Sequence, residues 1–145
     1  FRSLRPQIGV IFGLRLFMRQ HPKINCYILS AYLRDSRWAK KEKEEWLREF
    51  FPDIPKAHWL FVPCGQEKSS VLRKGETGIL LDDHSPNLKE WVKSPRNYGI
   101  KLINPINGAG KNWTGARIRY DLPPEEFAKE LYRFVEKVGK GEEVY

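Results

Sequence analysis

The chain has 145 residues, 41% of them hydrophobic, and a formal net charge of +8, which fits one globular domain with a core of its own. No uncharged apolar run reaches the roughly eighteen residues a membrane helix needs, and "FRSLRPQIGV" has neither the apolar stretch nor the small-residue cleavage site of a secretory signal. Membrane and secreted classes are thus set aside in favour of a soluble, cytoplasmic protein, and Cys26 and Cys64, in apolar contexts without metal-ligand spacing, fit small buried residues of a reduced compartment.

In chain order the pattern alternates between helix and strand. "RPQIGVIFGLRLFMRQH" opens with Pro6 where a helix tolerates it and spaces Ile8, Ile11, Phe12 and Leu16 for one helical face. "INCYILSAY" follows as a short apolar strand buried on both faces. "SRWAKKEKEEWLREFF" predicts an amphipathic helix through Trp46, Leu47 and Phe50, capped by Ser36 and stopped by Pro52, with its alternating Lys and Glu on a solvated face. "HWLFVP" and "TGILLDD" are the second and third strands, "NLKEWVKS" a short helix and "YGIKLIN" the fourth strand. "PINGAGKNWTGARIRY" reads as an ordered loop with a short extended piece. In the closing helix "LPPEEFAKELYRFVEKVGKG", Phe127, Leu131, Phe134, Val135 and Val138 form an apolar stripe ended by Gly139 or Gly141. The alternation predicts a three-layer, Rossmann-like α/β domain, a parallel sheet flanked by helices.

Such sheets bind ligands at the carboxyl ends of their strands. There the first strand offers Ser30, the second leads through Pro63 and Gly65 to Lys68, and the third ends in Asp82 and Asp83. Adjacent carboxylates repel and raise a pKa unless a cation neutralises them, so the pair asks for a divalent ion such as Mg²⁺ or a lysine partner. A hydroxyl and a lysine beside Mg²⁺ are the groups that neutralise phosphoryl oxygens. Each residue also has a plainer role: the aspartates can cap the next helix, Ser30 can be a turn residue, Lys68 a solvated surface group and His84 a polar turn residue. Trp46 and Trp91 belong by spacing to the core, whereas Lys111 and Trp113 of "NGAGKNWTG" either close over a phosphate or base or simply pack an ordered loop.

Taken in order, "YILSAY", "FVPCGQEKSS" and "GILLDDHSPNLKEW" resemble the second, third and fourth motifs of the haloacid dehalogenase-like phosphatases, and specifically the 5′(3′)-deoxyribonucleotidase family. "LRP", "EKEEW" and "GIKLINPINGAGKNWTG" extend the likeness over nearly the whole chain. The resemblance implies that Ser30 and the Ala31 amide bind the substrate phosphate and that Lys68 neutralises it. Asp82 and Asp83 would serve Mg²⁺, one directly and the other through water or a hydrogen bond, in the hydrolysis of nucleoside monophosphates by way of an aspartyl-phosphate. The family's first motif, an Asp-x-Asp that supplies the nucleophile and the general acid/base, occurs nowhere in these residues. In relatives that motif and a helical cap precede the stretch equivalent to "FRSLRP", so the expectation is a chain without the first strand and cap, truncated or catalytically lapsed. The central strand position would then stand open, and its exposed edge favours a homodimer. Two other classes compete with a nucleotidase: a non-catalytic phosphate-binding or regulatory module, and a nucleic-acid binder drawn by the positive charge. The basic residues are too scattered to favour the last.

Overall fold

The computed structural model describes residues 8–32, 37–73, 75–94, 96–103 and 113–140. Among them the order is α1 (Ile8–Gln20), β1 (Ile28–Tyr32), α2 (Arg37–Phe50), β2 (Trp59–Pro63), β3 (Ile79–Asp82), α3 (Ser85–Trp91), β4 (Tyr98–Ile103), β5 (Ala116–Arg119) and α4 (Pro124–Gly139). Short 3₁₀ turns at Lys56–His58 and Lys68–Val71 lead into β2 and out of it. No helix among the described residues is long and apolar enough to cross a membrane.

Among the described residues all the strand pairs are parallel, and they form two ladders rather than one. β1 pairs with β2, placing Ser30 opposite Phe61 and Ala31 opposite Val62, while β3, β4 and β5 pair in that order. The architecture is therefore α/β, with small parallel sheets flanked by helices.

The two-residue period of a strand sorts side chains between faces. On β3, Ile79 and Leu81 pack toward the cluster built by α1 and α4, whereas Leu80 meets Leu88, Trp91 and Trp113 on the opposite face. Asp82 follows Leu80 in this alternation and so faces α3. On β1, Ile28 packs with Leu47 and Phe51 of the α2 cluster and Leu29 packs toward Leu80 and Trp91, which turns Ser30 to the α2 side.

The core centres on Phe127, 0% exposed, and Ile100, 1% exposed. Burying one such side chain contributes about 2–3 kcal/mol. Phe127 sits against α1 because Gly13 leaves it room: a Cβ there would lie 2.7 Å from the Phe127 ring. Leu14 and Met18 of α1 contact both this cluster and the one under α2, so one helix ties the two ladders together.

Several expectations change. In α1 the buried hydrophobic side chains are Val10, Ile11 and Phe17, while Phe12 is 50% exposed, because the helix turns its 10/17 line toward α4. The first strand begins only at Ile28, and Ile28, Leu29 and Ser30 are half-buried rather than enclosed on both faces; among the described residues β1 pairs with β2 alone. The "short extended piece" is a full strand, β5, whose Ala116 and Ile118 point into the core and whose Arg117 and Arg119 point out. α3 starts two residues earlier than "NLKEWVKS", at Ser85, with Pro86 in its first turn. Cys64 is exposed, because it lies in the turn after β2; Cys26 is partly buried, and both thiols are free. The Ser36 cap, Lys111 and Gly141 lie outside the described residues.

Candidate functional site

β3 delivers Asp82 to the carboxyl end of its ladder, where the Lys68 ammonium lies 2.8 Å from Oδ2, the two side chains being only 7% and 13% exposed. Asn87 Nδ2 donates to the same oxygen at 3.0 Å, and the His84 amide donates to Oδ1 at 2.9 Å. Burial pushes the Asp82 carboxyl up, but the Lys68 charge and the hydrogen bonds from Lys68, His84 and Asn87 outweigh it and hold the group below its ordinary value. Two adjacent carboxylates are tolerated at a strand end because a lysine neutralises the inner one. Part of the plainer role also holds: Asp82 ties down the turn into α3, although α3 has no side-chain cap of its own.

Lys68 reaches Asp82 because of a sharp turn after β2. Gln66 N donates to Pro63 O at 3.0 Å, and Gly65 takes φ +88, a conformation that costs any residue with a Cβ. The next residue after Lys68 is then anchored to α3, since the Ser69 hydroxyl donates to Glu90 Oε1 and its amide to Oε2 at 3.4 Å. Turn and anchor together aim the ammonium back over β3.

Asp83 stands just beyond the strand. Its carbonyl accepts from Lys101 Nζ at 2.6 Å, and the same ammonium donates to Ser85 Oγ at 2.8 Å. Lys101 is 3% exposed and pairs in register with Asp82 across β3 and β4. A buried cation therefore fixes the backbone of the acidic turn.

Ser30 sits on the half-buried face of β1 and accepts from Lys43 Nζ of α2 at 3.0 Å. Lys43 stands three, four and seven residues before Trp46, Leu47 and Phe50, in line with the apolar stripe of α2. Burial lowers its pKa first; the Lys68 charge lowers it too, against an opposing pull from Cys64. Lys43 thus reaches from α2 to the hydroxyl of Ser30 on β1. Ala31 continues β1 opposite Val62.

The described residues do not fit a magnesium site by themselves. No group of three or more His, Cys, Asp or Glu side chains converges among them, and Asp82 is already engaged by an ammonium, an amide N–H and a side-chain amide. Magnesium demands a near-octahedral oxygen shell, which this arrangement leaves to groups beyond those described. Trp113 is 5% exposed and its Nε1 donates to Ala116 O at 2.9 Å, so it packs the fold as the plainer alternative had it.

Asn87, Glu90, Lys101 and Lys43 escaped the sequence reading. For Lys101 the signal was a charge inside the apolar run "YGIKLIN". For Lys43 it was helical spacing, masked by the Lys and Glu alternation that suggested a solvated face. Asn87 and Glu90 carried no local signal, because only the packing of α3 brings them to Asp82 and Ser69. No family model matches the chain, and no curated protein does.

Proposed function

We propose that the carboxyl edge of these ladders binds the phosphate of a phosphomonoester, and that the chain is of the haloacid dehalogenase-like, 5′(3′)-deoxyribonucleotidase kind, with a nucleoside monophosphate as ligand. The observation that carries this reading is the Lys68 to Asp82 pair, 2.8 Å apart, held at the end of a parallel strand where α/β proteins bind ligands. An ammonium fixed by a carboxylate is a preorganised donor for an anionic oxygen, and it costs little reorganisation when the ligand arrives.

The division into two ladders supports the same reading. A strand between β1 and β3 would end between Ser30 and Asp82, the position that carries the nucleophilic aspartate in the family resembled. Hydrolysis requires that carboxylate, and magnesium requires further oxygen ligands beside Asp82 and Asp83. On this reading the residues described contribute the Lys68 ammonium, held by Asp82, to recognition of the phosphate.

The test is a panel of nucleoside 5′- and 3′-monophosphates offered to the purified chain, with thermal stabilisation and phosphate release followed with and without Mg²⁺. Saturable stabilisation that disappears in Lys68→Met is expected. Absence of stabilisation by every mononucleotide sinks the proposal; tight binding of long polyanions with steep salt dependence would favour a nucleic-acid binder instead. Phosphate release that needs Mg²⁺ and dies in Asp82→Asn/Asp83→Asn would extend the function to turnover.

A further inference from the structure

We infer that Tyr27, stacked on His58, binds an unpaired base of single-stranded nucleic acid, at the end of the β1–β2 ladder opposite the turn that carries Lys68. The inference does not rest on the phosphate-binding reading above.

The ladder register builds the platform. Ile28 pairs with Trp59, so the residues just before them, Tyr27 and His58, stand side by side at the amino edge of the two strands. Their rings stack with centroids 4.2 Å apart and planes 21° from parallel. His58 is fixed in place, because its Nδ1 lies 2.9 Å from Cys26 O; a carbonyl only accepts, so this nitrogen carries the proton. The His58 amide donates to Pro55 O at 2.8 Å, closing the turn that delivers the ring. Tyr27 is 52% exposed, and with one ring face on His58 that exposure falls on the other face and the edges. The stack of His21 on Tyr132, at 3.9 Å, differs in that both residues are half-buried, which makes it part of the packing.

A ring held by a neighbour and open on its outer face stacks a base without first losing rotamer freedom, and such stacking tolerates any base. The charge on the two segments suits a polyanion. Lys23 stands four residues before Tyr27 and Lys56 two before His58, within about 14 and 7 Å along the chain. Both are exposed, and neither has an ion-pair partner among the described residues. In residues 19–28 and 52–60 the one acidic side chain is Asp53, and Arg15 engages it at 3.4 Å. At the end of α2, which returns the chain toward β2, Arg48 and Glu49 carry opposite charges. Lysines attract the phosphates of any strand; Tyr27 adds contact with a base face, which single strands offer and stacked duplexes do not.

The experiment is an NMR titration of the full chain with an oligothymidylate of about 12 nucleotides and an abasic strand of the same length, over a range of salt. Both strands lack terminal phosphates, so neither carries the phosphomonoester of the proposed phosphate site. Wild type should bind the oligothymidylate about tenfold more tightly than the abasic strand, the size of one base stacked on one ring. Tyr27→Ala should erase that preference and leave abasic binding unchanged, while Tyr27→Phe keeps it. Lys23→Ala/Lys56→Ala should weaken both strands alike and lower the salt slope by about 1.4. No preference in wild type, or a preference that survives Tyr27→Ala, overturns the inference. A preference lost in Lys68→Met also overturns it, by placing the strand at the other end of the ladder.

Discussion

The β3–β4–β5 ladder and the β1–β2 ladder share one helix, α1, yet they are packed very differently. Ile100 of β4 is 1% exposed and Ile118 of β5 is 3% exposed; in the smaller ladder Val62 of β2 matches them at 2%, but Ile28, Leu29 and Ser30 of β1 are all half-buried. The larger ladder carries Asp82 and Lys101, with Asn87 on the α3 helix beside it; the smaller one carries Ser30, met by Lys43 of α2. The difference teaches that the Lys68–Asp82 pair spans a boundary between the larger ladder and the smaller, with Lys68 crossing from the end of β2 to the end of β3.

The largest expected effect tests the core on the larger ladder. Phe127→Ala should destabilise the chain by about 3–5 kcal/mol, while Ile28→Ala in the half-buried strand should cost only about 1–2 kcal/mol, both read from denaturant midpoints. Equal costs would erase the contrast. Next comes the bridge between the ladders. Lys68→Met leaves the Asp82 carboxylate buried with neutral donors alone and should cost about 2–3 kcal/mol near neutral pH.

That same pair has a pH signature. Asp82 titrates below its ordinary 3.8 in the folded chain, so its contribution is fully present above the unfolded value and is lost as pH falls through the lower, folded value. Acid unfolding profiles should therefore steepen below about pH 4, and Lys68→Met should move that limb to higher pH. An unchanged acid limb would show that the ion pair does not govern Asp82.

A smaller effect is expected at the contact between α1 and α4. Gly13→Ala would place a Cβ 2.7 Å from the Phe127 ring, and should destabilise by about 1–2 kcal/mol despite the better helix propensity of alanine. The smallest is Gly65→Ala, about 1 kcal/mol, because nothing lies within 4 Å of the added Cβ and only the backbone at φ +88 resists it. Its effect on mononucleotide binding should exceed its effect on stability, since the turn aims Lys68. The reverse would make the turn merely structural.

Much of the fold was legible because each element carries its own period. Trp46, Leu47 and Phe50, or Phe127, Leu131 and Phe134, repeat at helical spacing and bury the faces they imply. Phe12 went astray because two adjacent apolar stripes on α1 satisfied the same spacing, and only the position of α4 chose between them. β5 was underestimated because its four residues alternate Ala, Arg, Ile and Arg, with half the pattern charged.

The candidate site divides in the same way. Lys68 and Asp82 were legible as polar groups following apolar strands, and they meet; Ser30, read in the same way, is met by Lys43. Their partners were not, because Lys43 hid in a charge-rich helix and Lys101 in a strand whose pairing register decides what lies beside it.

By itself the sequence determined the alternation of helices and strands and the polar residues at the strand ends, since both depend on spacing along the chain. The tertiary structure decided that the strands described form two ladders, that Lys68 lies beside Asp82, and that Lys43 turns inward to Ser30. These depend on which segments meet in space, and burial there sets which charges must find a partner.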